Sequence, residues 1–567
     1  MAEKIISPGV FTNEIDQTFL PSAVADIGAA LIGPTLKGPA GIPTVVTSFS
    51  DFQTKFGDVV KSGSNSFQYL TSHAAEEYLK SSNTLTVVRI LDGAFSPATA
   101  TITASLSGAG TSVSSSFTLE TFGDGTIMNN ASATATTNNI LTNGSVHNIR
   151  YEISNVNNSK GTFTLLIRAG NDNIKRKQIL ETFTNINLDP NSNNFISKVI
   201  GDQKQNVGTD GSTKYLELSG SFPRKSNFVR VKSVLRPTID YLDENGSVRV
   251  AEASQSLPAA GSGSGNGGFT GGDNGHIGFD SLGNIGGVDA ATGSAINFYE
   301  NIDTQTQGFS PTDLTSADGG AAYSQAIDLL ANQDEFDINL ILAPGLIHSK
   351  HTAVTNKIID TCENRGDCFA IIDPVVYAKN PSHAVTQAES VDSNFAAMYY
   401  PWVKVPDSQI AGAQRWVPPS VVLGGIYAFN DRVAHPWFAP AGLNRGGITT
   451  AIQAQRKLTQ NERDTLYDSN VNPIATFPGQ GVTVFGQKTL QKKASALDRI
   501  NVRRLLIRVK KFIASSSRFL VFEQNTAATR RRFLGIVNPF LETVQSQSGL
   551  SAFRVVMDET NNTPDTI

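Results

Sequence analysis

Cysteine is almost absent from this 567-residue chain. The only two, Cys362 and Cys368, stand six residues apart, which matches no redox or zinc spacing. A disulfide scaffold is excluded, and buried free thiols are expected. Histidine is also scarce, with seven in all. His348 and His351 stand three apart, but no carboxylate or third histidine lies at a zincin spacing, so no metal site is expected. No apolar run reaches the length of a membrane span, and none of signal-peptide length precedes Pro8. The expectation is a soluble chain made in a reducing cytoplasm, without membrane insertion. Charged residues are few at 17%, against 39% apolar, and the net charge is −4. That excludes a charge-swollen disordered protein and a chain-wide basic nucleic-acid binder.

What is present has two textures. Val24 to Ile32 and Thr84 to Leu91 read as buried strands. Between them, Ser50 to Phe56 and Phe67 to Leu79 keep helical spacing, the latter through Phe67, Leu70, Ala74 and Tyr78. From Ser96 to Asn148, Ser, Thr and Asn supply 26 of 53 residues and alternation replaces helical spacing. This predicts an inserted polar β-domain, with side chains too small to fill a large core. Residues 255–294 hold 13 glycines, with neither the strand–loop–helix context nor the Lys-Ser/Thr end of a phosphate loop. A flexible or irregular loop is expected there, with a calcium-binding Gly/Asp turn as the alternative.

Alternating α/β texture returns near Tyr323. Strand Ile338 to Leu342, a helix through Val354, Ile358, Ile359 and Cys362, and strand Phe369 to Ile372 suggest a parallel pair with a crossover helix. Arg365-Gly366-Asp367 reads as a Gly C-cap turn rather than an integrin tripeptide. The C-terminal part predicts strand Gly481 to Phe485, helix Asp498 to Ile513, strand Phe519 to Phe522, helix Thr526 to Val544 and strand Phe553 to Met557. Pro539 is expected to kink or break the second helix. Asp431, Arg432 and His435 lie close in sequence, yet no nucleophile elbow or paired-carboxylate pattern makes them catalytic. No catalytic residue or cofactor site is assigned.

One charge feature stands out. Lys488 to Arg532 carries 13 Lys/Arg against Asp498 and Glu523, a net +11 in a chain whose total is −4. On a helical wheel, Val502, Leu505, Leu506, Val509, Phe512 and Ile513 share an arc of roughly 120°. Arg499, Arg503, Arg504, Arg508, Lys510 and Lys511 take the other side. The expectation is an apolar face on a sheet and a positive face toward an acidic partner, nucleic acid or protein.

Several segments, in order along the chain, resemble the tail sheath proteins of contractile-tailed bacteriophages. They are SPGVFTNEID (Ser7 to Asp16), ETFTNINLDPNSNNFISKVIG (Glu181 to Gly201), LLANQDEFDINLILAPG (Leu329 to Gly345) and CENRGDCFAIIDP (Cys362 to Pro374). YYPWVKV (Tyr399 to Val405), PPSVVLGGIYAFNDRVAHPWFAPAG (Pro418 to Gly442), VFGQKTL (Val484 to Leu490), INVRRLL (Ile500 to Leu506) and FRVVMDETNNT (Phe553 to Thr563) complete the series.

The resemblance implies an α/β (α+β) multidomain protein, with a sheath core of mixed sheets and helices and inserted outer β-rich domains. The expected divisions are an extended N-terminal arm, 1–22; core segments 23–93 and 321–480; insertions 94–180 and 181–320; and a C-terminal inner domain, 481–567, with its basic helix at 498–513. The implied function is structural, not enzymatic. Six-fold rings stack into a helical sleeve around the tail tube, and contraction drives the tube through the host envelope. Implied partners are further copies of the chain, the tube protein, and baseplate and tail terminator proteins, without direct nucleic-acid contact. The implied location is the virion tail, assembled in the host cytoplasm.

In the family, terminal arms add strands to a neighbour's sheet. That points to Pro8, Gly9, Val10, Phe11 and Ile15 for strand exchange. Family chains continue past a segment like Asp558 to Thr563 into a further strand and arm, whereas this sequence ends at Ile567. The family places its C-terminal domain innermost, so Arg503, Arg504, Arg508, Lys510 and Lys511 are expected to face the tube. A secretion or toxin-injection sheath is the alternative within the same class. A nucleic-acid binder using the basic helix, and a hydrolase or adhesin built on the polar insertion, are the alternatives outside it.

Overall fold

The computed structural model describes residues 28–62, 65–105, 115–130, 133–134, 138–211, 213–249, 256–275, 277–279, 285–287, 311–315, 319–408, 412, 414–558 and 560–562. The chain forms two compact units, one spanning Gly28–Arg508 and a second whose described part begins at Val509.

The larger unit is organised on an eight-stranded sheet. Its strands are β1 (Gly28–Gly33), β2 (Thr44–Val46), β3 (Leu85–Arg89), β4 (Ile338–Ile347), β5 (Phe369–Asp373), β6 (Ala396–Tyr400), β7 (Val471–Phe477) and β8 (Gly481–Val484), in the order β2-β3-β1-β4-β5-β6-β7-β8. The six central strands run parallel, and the edge strands β2 and β8 are antiparallel to their neighbours. Parallel strands are covered on both faces, which is why LTVVR and FAIID read as unbroken buried runs.

One face buries Ala29, Leu31, Val87, Leu342 and Ile371 beneath helices α1 (Phe49–Phe56), α2 (Leu70–Leu79) and α5 (Pro419–Val433). The other buries Ala30, Ile32, Val88, Ile341 and Ile372 beneath α3 (Gly320–Leu330) and α4 (Thr352–Arg365). The expected stripe on α2 is buried at Leu70, Ala74 and Tyr78. The expected β4–α4–β5 crossover is present with parallel pairing, Leu340 opposite Phe369. Helix α4 ends at Gly366, whose φ of 69° and N–H bond to the Cys362 carbonyl make it the C-cap read from the sequence.

The insertion leaves after β3 and returns at α3. Its composition misled on two points. First, it does have a substantial core: Phe117, Leu119, Ile153, Phe163, Leu165 and Ile167 are buried together with Ile186, Phe195, Val231 and Phe269. Alternation gathers the apolar residues on one face of each strand and sets polar ones on the other, where Ser116, Thr118 and Thr121 are buried too, so a polar average conceals a packed interior. Second, the boundary at residue 180 does not divide it. Strand Val229–Val234 pairs with Ser115–Asp124, which pairs in turn with Pro97–Thr103. Within the glycine-rich stretch, residues 256–275 are irregular but held, since Tyr151 N–H donates to the Gly267 carbonyl at 2.8 Å and Ile153 N–H to the Ser262 carbonyl at 2.8 Å, whereas Ile277–Phe279 and Ile285–Gly287 pair as a short antiparallel ladder that the loop reading did not expect. A Cβ on Gly267 would lie 1.9 Å from the Tyr151 carbonyl, so only glycine permits that approach.

Insertion and sheet are joined through Arg89, which is 2% exposed. It donates to the carbonyls of Thr35 (3.1 Å), Gly38 (2.7 Å) and Asp124 (2.8 Å). Asp124 Oδ2 in turn accepts the Ala40 N–H at 2.9 Å.

The smaller unit departs from expectation. Helix α6 (Ile500–Ser517) starts in the larger unit and ends in the smaller, and α7 (Ala527–Ser546) continues through Pro539 without a break. Residue 535, whose carbonyl the proline ring would crowd, is a glycine. Phe519–Phe522 and Phe553–Met557 are not strands. A strand requires a partner for its backbone groups, and none of the described residues supplies one. Instead Phe519, Val521 and Phe522 stand exposed beyond α6.

Candidate assembly surface on the basic helix

Helix α6 faces the sheet with a side that the wheel had assigned to solvent. Ile500 and Ile507, seven apart, enter the core beneath α5. The arginines flanking them go in as well: Arg503 and Arg504 are each 4% exposed. Arg504 donates from Nη1 to Asp431 Oδ1 at 2.8 Å and from Nη2 to Oδ2 at 2.5 Å. Its guanidinium also lies 4.8 Å from the ring centroid of Tyr427, whose hydroxyl is 2.8 Å from that of Tyr399. Burial works against its charge, but the Asp431 carboxylate prevails and holds the Arg504 pKa above its usual value. Arg503 lies 4.2 Å over Phe395 and donates to Asn394 Oδ1 at 3.0 Å. No carboxylate among the described residues pairs with it, and burial lowers its pKa.

Arg503 and Arg504 therefore do not form part of an outward positive face. They are tethers between α6 and the sheet layers. Arg508 and Lys511 are half-buried and Lys510 is exposed, and these three carry what remains of the face. The apolar arc lies opposite. Within the larger unit Val502 and Leu506 are only half-buried while Leu505, at the edge of the arc, is buried, and within the smaller one Phe512 stacks on Phe540 at 3.7 Å. Pro8, Gly9, Val10, Phe11 and Ile15 lie outside the described residues.

The other groups weighed in the sequence are structurally engaged. Asp431 is spent on Arg504, and His435 stacks on Trp437 at 4.5 Å. His351 Nδ1 accepts the Ile347 N–H at 2.9 Å, while His348 bridges Thr355 Oγ1 (2.8 Å) and Ser390 Oγ (3.1 Å). Among the described residues no group of three potential ligands could hold a metal ion. Cys362 and Cys368 are buried free thiols with sulfurs 3.3 Å apart. No helix among the described residues is long and apolar enough to cross a membrane.

Residues 319–490, from α3 through β8, match the family described as the phage tail sheath protein central domain. This stretch is similar to a phage tail sheath domain. The tail sheath protein of Vibrio phage KVP40 is 31% identical over 269 residues, covering 43% of this chain and 40% of that protein. The tail sheath protein of Enterobacteria phage T4 is 31% identical over 267 residues, with the same coverage of each. The chain thus spans about two fifths of the length of the curated relatives it matches. The sheath tail protein of Listeria innocua shares the fold, with a TM-score of 0.53 over 94% of this chain and 88% of that one at 11% identity. Within the matched span lie β4 to β8, α4, α5 and both anchors of the buried arginines, Asn394 and Asp431.

Proposed function

We propose that the chain is a subunit of a contractile tail sheath. It acts mechanically, without catalysis, by polymerising as stacked six-fold rings into a helical sleeve around the tail tube. Contraction of the sleeve drives the tube through the host envelope. The sleeve belongs to the virion tail and assembles in the host cytoplasm on a baseplate, with a terminator protein at the far end. The observation that carries this reading is the tail sheath domain at residues 319–490, seated on the central parallel strands. The exposed Phe519, Val521 and Phe522 support it, since clustered exposed apolar side chains mark contact surfaces. The energy for contraction comes from mutual surface buried as the lattice shortens, so no nucleotide is needed.

Negative-stain microscopy of purified protein tests the class. Rings or hollow sleeves are expected. A monomer that binds DNA in a salt-dependent manner instead would transfer the basic helix to nucleic-acid recognition. Deleting residues 1–20 should leave the melting temperature unchanged and abolish sleeves, whereas normal sleeves would refute strand exchange by Pro8 to Ile15.

Tube contact falls to Arg508, Lys510 and Lys511, each exposed pair contributing about 0–1 kcal/mol and screened by salt. Reversing these three to Glu should leave the subunit folded and weaken assembly on tubes. Undiminished assembly of this variant would remove them from the tube contact.

A further inference from the structure

A cavity of about 500 Å³ opens where the insertion meets the sheet. Glu120, in its wall, is besieged by cations: Arg230 Nε at 2.8 Å, Lys204 Nζ at 3.5 Å and Lys232 Nζ at 3.6 Å. A fourth cation, Arg224, also lines the cavity, its guanidinium 3.3 Å from the ring centroid of Phe122. Arg224 Nη1 is buried and has no hydrogen-bond partner among the described residues. The other carboxylate of the wall, Asp124, already accepts the Ala40 N–H, and burial raises its pKa. Arg89 is engaged by backbone carbonyls. The lining thus holds more positive charge than its carboxylates neutralise, and the Arg224 Nη1 within it has no partner among the described residues. Burial pushes the Arg224 pKa down to about 10, so the guanidinium stays charged at neutral pH. Phe95 and Phe122 give the cavity aromatic walls, and Leu218, 59% exposed, adds apolar surface to its lining.

We propose that this cavity binds a small organic anion, its carboxylate or phosphate head on Arg224 and its flat apolar body against Phe95 and Phe122. A guanidinium edge presents two parallel N–H donors, which suits either oxyanion. An aromatic body fits the volume better than a bare inorganic ion. The assignment does not depend on the sheath reading, because the groups that would hold the anion, Arg224, Phe95 and Phe122, lie outside 319–490, although Ala322 and Gln325 also line the cavity.

Calorimetry on the full chain tests it, with benzoate and phenyl phosphate as probes, benzyl alcohol as the uncharged control and inorganic phosphate as the head alone. Saturable binding of one or both aromatic anions is expected, with benzyl alcohol and inorganic phosphate much weaker. The stronger of benzoate and phenyl phosphate identifies the head group. Arg224→Gln should weaken binding by about tenfold or more, and Arg224→Lys by less. Should Arg224→Gln not fold, Leu218→Asp places a repelling charge on an exposed residue of the lining and should weaken the anions while leaving benzyl alcohol unaffected by charge. No saturable heat from either anion up to about 10 mM, or equal affinity in the substituted proteins, overturns the proposal.

Discussion

Replacing Arg504 tests how α6 is held to the sheath domain. Arg504→Ala removes two charge-assisted hydrogen bonds and a guanidinium lying over Tyr427. Breaking a buried pair from one side costs about 3–5 kcal/mol when the survivor stays dry. Asp431 keeps 25% of its side chain exposed and can be hydrated, which lowers that loss to about 2–3 kcal/mol. The lost cation–π contact adds about 1 kcal/mol. Arg504→Glu should be worse, because it sets two carboxylates together in a place where neither is fully solvated. Arg508→Glu, on the half-buried side, should stay within about 0.5 kcal/mol of wild type. All three tryptophans, Trp402, Trp416 and Trp437, lie in the larger unit, so their fluorescence reports urea unfolding of the part that matters. A chain of this size need not unfold in two states, so midpoints are the quantity to compare. Combining Arg504→Ala with Asp431→Asn should cost clearly less than the two single changes added together. Additive losses, or an Arg504→Glu protein with a wild-type midpoint, would refute the buried pair.

Two further predictions concern the insertion and the response to pH. Excising Phe95 to Arg168 should yield insoluble protein, because it strips Val229–Val234 of its partner strand and opens a shared core; replacing everything between Leu91 and Gly320 with a short linker should yield a soluble sheet domain. Equal solubility of the two deletions would count against a single insertion core. Asp373, buried where it accepts both the N–H (2.9 Å) and the hydroxyl (2.5 Å) of Ser420, has its pKa pushed up by burial to about 7. The folded state therefore keeps a proton that the unfolded chain releases near pH 4, so this group's contribution to stability declines as pH rises from about 4 to 7. His348, lowered by burial to about 4, works in the opposite sense, losing stability as pH falls from about 6.5 to 4. Comparing Asp373→Asn with wild type cancels the histidine: the variant should gain relative stability steadily from pH 4 to 7, by about 4 kcal/mol at most, and a flat difference would sink the assignment.

Much of the sheath domain was legible because its signals are local. INLIL and FAIID announce buried parallel strands, and Gly366 announces the end of α4. The helix α6 was legible as a helix, but its orientation was not. The readable clue was Ile500 and Ile507 on the same side as the arginines, and an apolar arc of six residues outweighed it. What reverses the reading is Asp431, 73 positions away, whose carboxylate makes a buried arginine tolerable. The insertion's core failed for the same reason: composition averages over two faces that the pleat keeps apart. Glu120, Lys204, Arg224 and Arg230 are scattered through more than a hundred residues, and no spacing rule gathers them.

The position of the insertion also bears on how the chain reaches its fold. Strand β1 must find β4 across roughly 300 intervening residues, since Ala29 pairs with Leu340. A flexible loop of that length closes at an entropic cost that grows by about 0.6 kcal/mol with each doubling. If the insertion condenses first around its own core, Arg89 and Asp124 draw its entrance against the loop after β1, and the effective loop becomes shorter than the sequence separation. The inserted domain then acts as an internal folding clamp. In that order of events the central sheet closes last, by non-local pairing of the kind that makes folding slow and exposes unpaired strand edges meanwhile.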